Sequence, residues 1–208
     1  MSADPTTGSG ANRPVSPADR VREAMAAVDR RAFLPPDQLR FADADLPLQI
    51  GHGATCSQPS TVAAMLELLD HQPGDEVLDV GSGSGWTTAL LAHLVAPGGS
   101  VVGVEIEPGL VEDGRDNLLG SGITEDADVH IEQAEPGRVG FPGEAPFDRI
   151  LVSAEARQLP EGLVDQLAEG GRLVIPVRSQ MVVADRQGED VTTREFGSFS
   201  FVPLRAAE

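Results

Sequence analysis

The chain has 208 residues, 40 % of them hydrophobic, which is enough for one sizeable core and excludes a chain that is disordered throughout. No apolar run approaches the roughly 18 residues of a membrane span, the N-terminus lacks a basic stretch followed by an apolar one, and the single cysteine cannot form an internal disulfide, so we expect a cytoplasmic protein with no membrane partner. The formal net charge of −18, with arginine supplying all 15 cations, repels phosphates and argues against a nucleic-acid partner.

The chain begins with a segment that lacks any hydrophobic period. Residues 1–15 are rich in serine, threonine, glycine and proline, which predicts a disordered tail, and we expect residues 16–208 to form a single domain. Ser16 and the proline after it have the pattern of a helix start. A loop-rich segment then runs to Pro59, where a second helix with an apolar face is predicted to begin.

From residue 76 onward, short apolar strands alternate with helices. Strands are predicted at residues 77–80, 101–104, 129–131, 149–152 and 173–177. Helices between them are predicted at residues 86–95, 110–119 and near 163–167. Two further strands, expected to be antiparallel, are predicted at residues 181–184 and 196–202. This pattern predicts an α/β fold: a doubly wound, Rossmann-like sheet, mostly parallel with antiparallel C-terminal strands, preceded by N-terminal helices.

A glycine-rich loop, Asp79-Val-Gly-Ser-Gly-Ser-Gly85, follows the first of these strands, where an open parallel sheet binds nucleotide-like ligands. A dinucleotide site would have G-x-G-x-x-G, but here the third glycine comes one residue early and Trp86 fills a place that such sites keep small. Asp79 would repel a pyrophosphate but suits an ammonium group, so the loop favours S-adenosylmethionine. Glu105, at the end of the next strand, is placed to accept the ribose hydroxyls.

Together these motifs resemble the protein-L-isoaspartate O-methyltransferases, which are class I S-adenosylmethionine-dependent methyltransferases. The segments that carry the resemblance are residues 51–59, 77–85, 145–148, 159–160, 166–167, 170–177 and 201–204. The first of them, GHGATCSQP, fits the family form G-x-G-x-T-x-S-x-P. The resemblance implies methylation of isoaspartyl residues in damaged proteins and peptides, with S-adenosylmethionine as cofactor and S-adenosylhomocysteine as product.

The resemblance also implies the site residues. Ser57 corresponds to the family's active-site serine, and Thr55 flanks it; this loop covers the transferable methyl group and lines the isoaspartyl pocket. The local sequence alone leaves another role open for Ser57, as the N-cap of the helix that starts at Pro59. The predicted cofactor-binding residues are Ala54, Asp79, Gly81, Ser82, Gly83, Ser84, Gly85, Glu105, Ile106 and Glu135.

The chain departs from the family pattern at two places beside the expected site. The family's Gly-Asp-Gly, whose aspartate accepts from the adenine amino group, is Ala134-Glu135-Pro136 here. Glu135 keeps an acceptor with a longer reach, whereas Pro136 removes a backbone donor. The family's glycine after the fifth strand is Arg178, which either pairs with a carboxylate or points to water.

The cysteine and the histidines predict no further catalytic or metal-binding residue. Cys56 is expected to pack as a small apolar side chain, because no motif assigns it a base. The four histidines show no metal-ligand spacing, so no metal site is predicted. We expect a monomer.

Three other functions stay open at this point. The same fold and cofactor could serve a dedicated peptide aspartate or a small acid, in which case generic isoaspartyl peptides would not be methylated. A non-catalytic S-adenosylmethionine-binding module would bind cofactor equally well after Ser57→Ala and turn over no acceptor. A nucleic-acid methyltransferase is disfavoured by the charge and by the absence of an Asn/Asp-Pro-Pro-aromatic motif.

Overall fold

Helices and strands alternate through most of the part of the chain that the computed structural model describes, residues 16–123 and 128–205. The predicted tail at residues 1–15 lies outside these described residues. The helices are α1 Pro17–Ala27, α2 Pro59–Leu69, α3 Trp86–Val95, α4 Pro108–Ser121 and α5 Glu161–Val164. The strands are β1 Leu48–Gly51, β2 Ala54–Cys56, β3 Glu76–Val80, β4 Ser100–Glu105, β5 Asp128–Gln133, β6 Phe147–Val152, β7 Leu167–Val177, β8 Gln180–Gln187 and β9 Asp190–Ser198.

A seven-stranded sheet has the strand order β5-β4-β3-β6-β7-β8-β9. The pairs from β5 to β7 are parallel, and β8 and β9 are added antiparallel at one end, which confirms the predicted fold class. The chain moves outward from β3 to β5 and then returns to β6 on the other side of β3. Such a reversal opens a crevice at the carboxyl ends of the central strands, where ligands bind in folds of this class.

Apolar side chains pack against both faces of the sheet. In β3, Val77 belongs to the core that contains residues of α1 to α4, while Leu78 and Val80 belong to a second core with α5. This alternation follows from the two-residue period of a strand. The face that α5 shares is completed by the segment between β5 and β6, from which Phe141 packs on the core.

Local sequence explains where the first two helices begin. The Asp19 backbone N–H donates to the Ser16 hydroxyl at 3.1 Å, and Pro17 occupies the first turn of α1, as the capping pattern predicts. In α2 the buried residues are those that the helical period singles out, Val62, Met65, Leu66 and Leu69. Among the described helices, none has the length and apolar composition that crossing a membrane requires.

Two predicted elements near the C-terminus were wrong in their limits. The helix predicted near 163–167 ends at Val164, because the Gln166 side chain accepts from the Phe141 backbone N–H at 2.7 Å and Leu167 pairs with Phe147 at the start of β7. The strand predicted at 196–202 is instead β9, Asp190–Ser198. Nearly all of its residues are exposed on both faces, so it carries no apolar period that the sequence could reveal.

The segment predicted as loop before Pro59 contains a hairpin of β1 and β2. Its turn is Gly51-His52-Gly53, with φ values of 88°, 50° and 74°. Three left-handed residues in a row explain the two glycines, which adopt this conformation without steric cost. Residues Leu48, Ile50 and Cys56 anchor the hairpin in the core.

Candidate active site

A cavity of about 690 Å³ opens at the carboxyl ends of β3, β4 and β6, a volume typical of small-molecule sites. The glycine loop and the end of β4 form one wall, and the β1–β2 hairpin with the residues after it forms another. Nine of the predicted site residues line this cavity: Ala54, Thr55, Ser57, Gly81, Ser82, Gly83, Ser84, Glu105 and Ile106. Three predicted site residues do not line it: Asp79, Gly85 and Glu135.

The glycine loop brings backbone close to the cavity. Gly81, Gly83 and Gly85 have φ values of 79°, 54° and 91°, a conformation that side chains with a Cβ rarely adopt. The Gly81 N–H donates to the Val104 carbonyl at 2.8 Å, which ties the loop to the end of β4. Gly85 is the N-cap of α3, where a Cβ would lie 3.2 Å from a backbone oxygen of α4, so this glycine permits close packing rather than contact with a ligand.

Glu105 organises the backbone at the end of β4. Its carboxylate accepts from the N–H groups of Ile106 at 2.8 Å and Glu107 at 3.0 Å, and from the Gly83 N–H at 3.0 Å. The side chain therefore holds the glycine loop and the start of α4 in fixed relation. Because a carboxylate has about four lone-pair sites, three of these bonds still leave acceptor capacity toward the cavity that Glu105 lines.

Asp79 lies beneath the glycine loop with no exposed surface. One carboxylate oxygen accepts from the Thr88 hydroxyl at 2.7 Å, and the other has no hydrogen-bond partner among the described residues. Burial raises the pKa of Asp79 to about 7, and the negative charge of Glu105 acts in the same direction. Because Asp79 bonds to Thr88 and does not line the cavity, its position favours a structural role beneath the glycine loop over the direct contact with an ammonium group that the sequence suggests.

The hydroxyl-rich loop of Thr55 and Ser57 runs from β2 to the start of α2. The N-cap of α2 is Gln58, which makes no side-chain capping bond. Capping comes from Asp45, whose carboxylate accepts from the Ser60 N–H at 2.8 Å and from the Gln58 amide at 2.9 Å. Ser57 is therefore not the helix N-cap that the local sequence left open, and it lines the same cavity as the glycine loop.

Of the two departures from the family pattern, the one at residues 134–136 reaches the cavity and the one at Arg178 does not. Ala134 lines the cavity, whereas Glu135 turns to an ion pair with Arg138 at 3.0 Å, and Arg138 is itself a lining residue. Arg178 does not line the cavity; it has a φ of 49° and its Nε donates to the Arg157 carbonyl at 2.9 Å. Arg178 therefore has a left-handed backbone conformation, which glycine adopts more easily.

Other lining residues were not predicted as site residues. His52, at the tip of the hairpin, places Nδ1 3.3 Å from a carboxylate oxygen of Glu107 across the cavity edge. Ser153 follows β6, the parallel neighbour of β3, and residues 200–205 close one side. The topology rule for parallel sheets would have pointed to Ser153, since it lies at the carboxyl end of a central strand. Within the described residues, no group of three His, Cys, Asp or Glu side chains could hold a metal ion.

Comparison with known sequences agrees with this geometry. A sequence model of the protein-L-isoaspartate(D-aspartate) O-methyltransferase (PCMT) family matches residues 10–208. The protein-L-isoaspartate O-methyltransferase of Aeropyrum pernix is 47 % identical over 190 residues, which cover 89 % of this chain and 72 % of the relative. The enzyme of that name from Anaeromyxobacter dehalogenans is 51 % identical over 159 residues, covering 76 % of this chain and 73 % of the relative.

Solved structures give the same result. A Plasmodium falciparum chain assigned to the protein-L-isoaspartate O-methyltransferases, in complex with S-adenosyl-L-homocysteine, matches with a TM-score of 0.76 and 29 % identity over 90 % of each chain. A second structure, named protein-L-isoaspartate O-methyltransferase, has a TM-score of 0.81 and 26 % identity, covering 92 % of this chain and 62 % of that chain. The chain therefore belongs to the protein-L-isoaspartate O-methyltransferase family of S-adenosylmethionine-dependent methyltransferases.

Proposed function

We propose that the chain methylates the free α-carboxylate of L-isoaspartyl residues in damaged proteins and peptides, with S-adenosylmethionine as donor and S-adenosylhomocysteine as product. One observation carries the proposal: a single cavity is lined both by the glycine loop with Glu105, the first wall, and by Thr55 and Ser57, the second wall. A cofactor and an acceptor can therefore meet in it.

The residues on the first wall fit the cofactor. The Ser82 hydroxyl is buried in the cavity wall without a hydrogen-bond partner among the described residues, so a polar ligand would satisfy it. Glu105 retains acceptor capacity for a ribose hydroxyl. The partly buried backbone at Gly81 and Gly83 carries no side chain, which lets a ligand approach the start of α3 closely. S-adenosylmethionine, when bound, supplies a methyl group on a positively charged sulfur.

The residues on the second wall fit a carboxylate acceptor. A carboxylate is already anionic at neutral pH, so methyl transfer requires no general base at the site. Thr55 and Ser57 offer hydroxyl donors that orient an oxygen toward the cofactor wall. The resulting ester carbonyl can then react with the next backbone nitrogen to give a succinimide with loss of methanol. Hydrolysis of the succinimide yields some normal aspartate.

The proposal also covers domain organisation, oligomeric state, location and partners. We propose that residues 16–208 act as one domain and as a monomer in the cytoplasm, without a nucleic-acid partner. The continuous seven-stranded sheet supports one domain, and the net charge of −18 opposes binding to phosphates.

The test uses methyl-labelled S-adenosylmethionine with two matched peptides, one isoaspartyl and one aspartyl. Base-labile label is expected on the isoaspartyl peptide alone. A Ser57→Ala variant serves as control: it should bind S-adenosylhomocysteine as the wild type does and lose ester formation. Ester on neither peptide, despite cofactor binding by the wild type, would contradict the proposed function.

A further inference from the structure

Arg30 is a buried cation close to the acceptor wall. It lies in the 3-10 turn Arg30–Phe33 after α1, and only 6 % of its surface is exposed. Among the described residues, no carboxylate lies within ion-pair distance of it, although its charge contributes, after hydrogen bonds from Ser60 and Gln58, to a lowered pKa of Asp45. Burying a charge without a paired anion is costly unless oriented polar groups surround it, so the groups around Arg30 are informative.

Backbone carbonyls form the surroundings of this guanidinium. The acceptors are the carbonyl oxygens of Ala42, Ala44, Leu46, Cys56 and Ser57, at 3.3, 3.2, 2.9, 3.1 and 2.9 Å, and the Cys56 thiol at 3.5 Å. The first three precede β1 and the last two follow or end β2, so Arg30 joins the two ends of the hairpin. A guanidinium has about five N–H donors, and these acceptors occupy them, which leaves none for a substrate carboxylate.

Arg30 also lies one layer behind the cavity wall. Its guanidinium carbon is 5.1 Å from the ring centroid of Trp86, and Trp86, Cys56 and Ser57 all line the cavity. A unit charge in such a poorly solvated position interacts with an anion in the cavity more strongly than it would through water.

We propose that Arg30 is a positioning residue of the acceptor site: it fixes the carbonyl groups beside Ser57, and its unpaired charge favours an anionic acceptor without contacting it. The inference rests on the proposed function. A direct ion pair would hold the oxygen lone pair that must form the new bond to the methyl carbon. A charge one layer away attracts the carboxylate and leaves that lone pair free.

The first test compares two peptides in the presence of S-adenosylhomocysteine: an isoaspartyl peptide and the same peptide with a carboxamide in place of the α-carboxylate. Calorimetry on the wild type is expected to show a preference of about ten-fold or more for the carboxylate. Arg30→Met should bring the two affinities close together, whereas Arg30→Lys should keep the preference because it keeps the charge. Arg40→Met, which removes an exposed arginine and the same net charge, is the matched control and should behave as the wild type.

The second test concerns positioning. Arg30→Lys should lower kcat for the isoaspartyl peptide about ten-fold or more, since one ammonium cannot hold six acceptors, while S-adenosylhomocysteine affinity stays close to wild type. Equal weakening of both peptides in Arg30→Met, or wild-type kcat in Arg30→Lys, would overturn the inference; if Arg30→Met does not fold, the lysine variant decides. Wild-type protein that binds S-adenosylhomocysteine but neither peptide would instead contradict the proposed function.

Discussion

His71 is a histidine with no exposed surface, in the turn after α2. Neither of its ring nitrogens has a hydrogen-bond partner among the described residues, although its backbone carbonyl accepts from Arg20 at 2.6 Å. Burial lowers the pKa of His71 from 6.5 to about 4, and the charges of Arg20 and Arg149 act in the same direction, whereas the Leu66 backbone and the charge of Asp70 act against them. The imidazole is therefore neutral in the folded protein at physiological pH.

This shift makes stability depend on pH with a defined sign. The unfolded chain takes up the proton near pH 6.5, and the folded chain only near pH 4, so the free energy of unfolding falls as the pH drops through this window. The difference of about 2.5 pKa units corresponds to about 3 kcal/mol in full, of which about 2 kcal/mol is lost between pH 8 and pH 5. His71→Leu removes this loss and also removes two buried nitrogens without partners.

Urea denaturation of the wild type and His71→Leu at about pH 8 and pH 5 measures the effect, because other titrating groups cancel in the difference between the two proteins. The variant is expected to be at least as stable at pH 8 and to gain about 2 kcal/mol relative to wild type at pH 5. His93→Leu, which replaces an exposed histidine of α3, should follow the wild-type profile. A wild-type-minus-variant difference that is the same at both pH values would refute the reasoning.

The buried carboxyl of Asp79 gives the free energy of unfolding the opposite pH dependence. Because its pKa is raised from 3.8 to about 7, the wild type loses stability as the pH rises through this window. In urea denaturation, Asp79→Asn should therefore gain up to about 4 kcal/mol relative to wild type between pH 4 and pH 8. A flat difference would show that burial does not control this group. Gly85→Ala places a methyl group 3.2 Å from the Gly114 carbonyl oxygen at a φ of 91°, and should lower stability by about 1–2 kcal/mol and weaken S-adenosylhomocysteine binding in calorimetry. Gly120→Ala, in open space within α4, is its control and should stabilise by up to about 1 kcal/mol; equal effects of the two substitutions would contradict the packing argument.

Much of the fold could be predicted because its central strands are buried on both faces. The strands β3, β4 and β6 are mostly apolar and mostly buried, and the buried face of α2 repeats at helical spacing, so the sequence predicts their positions. β9 is exposed on both faces and has no such signal. The hairpin of β1 and β2 is short, and its two glycines suggest a loop.

The site could be predicted as a set of residues but not as an arrangement. The glycine pattern and the resemblance predict the residues that line the cavity, because backbone conformation there depends on residue type. The position of Asp79 behind the loop, and the turn of Glu105 toward three N–H groups, depend on tertiary packing. The role of Arg30 could not be predicted from the sequence, since all but one of its acceptors are backbone carbonyls, which every residue has.

A crystal structure with S-adenosylhomocysteine and an isoaspartyl peptide tests the central claim most directly. We predict that the ribose lies beside Glu105 and that the peptide's free carboxylate lies within hydrogen-bond distance of the Ser57 or Thr55 hydroxyl, with one oxygen facing the cofactor sulfur. A carboxylate bound outside this cavity, or held in an ion pair by an arginine, would contradict the account.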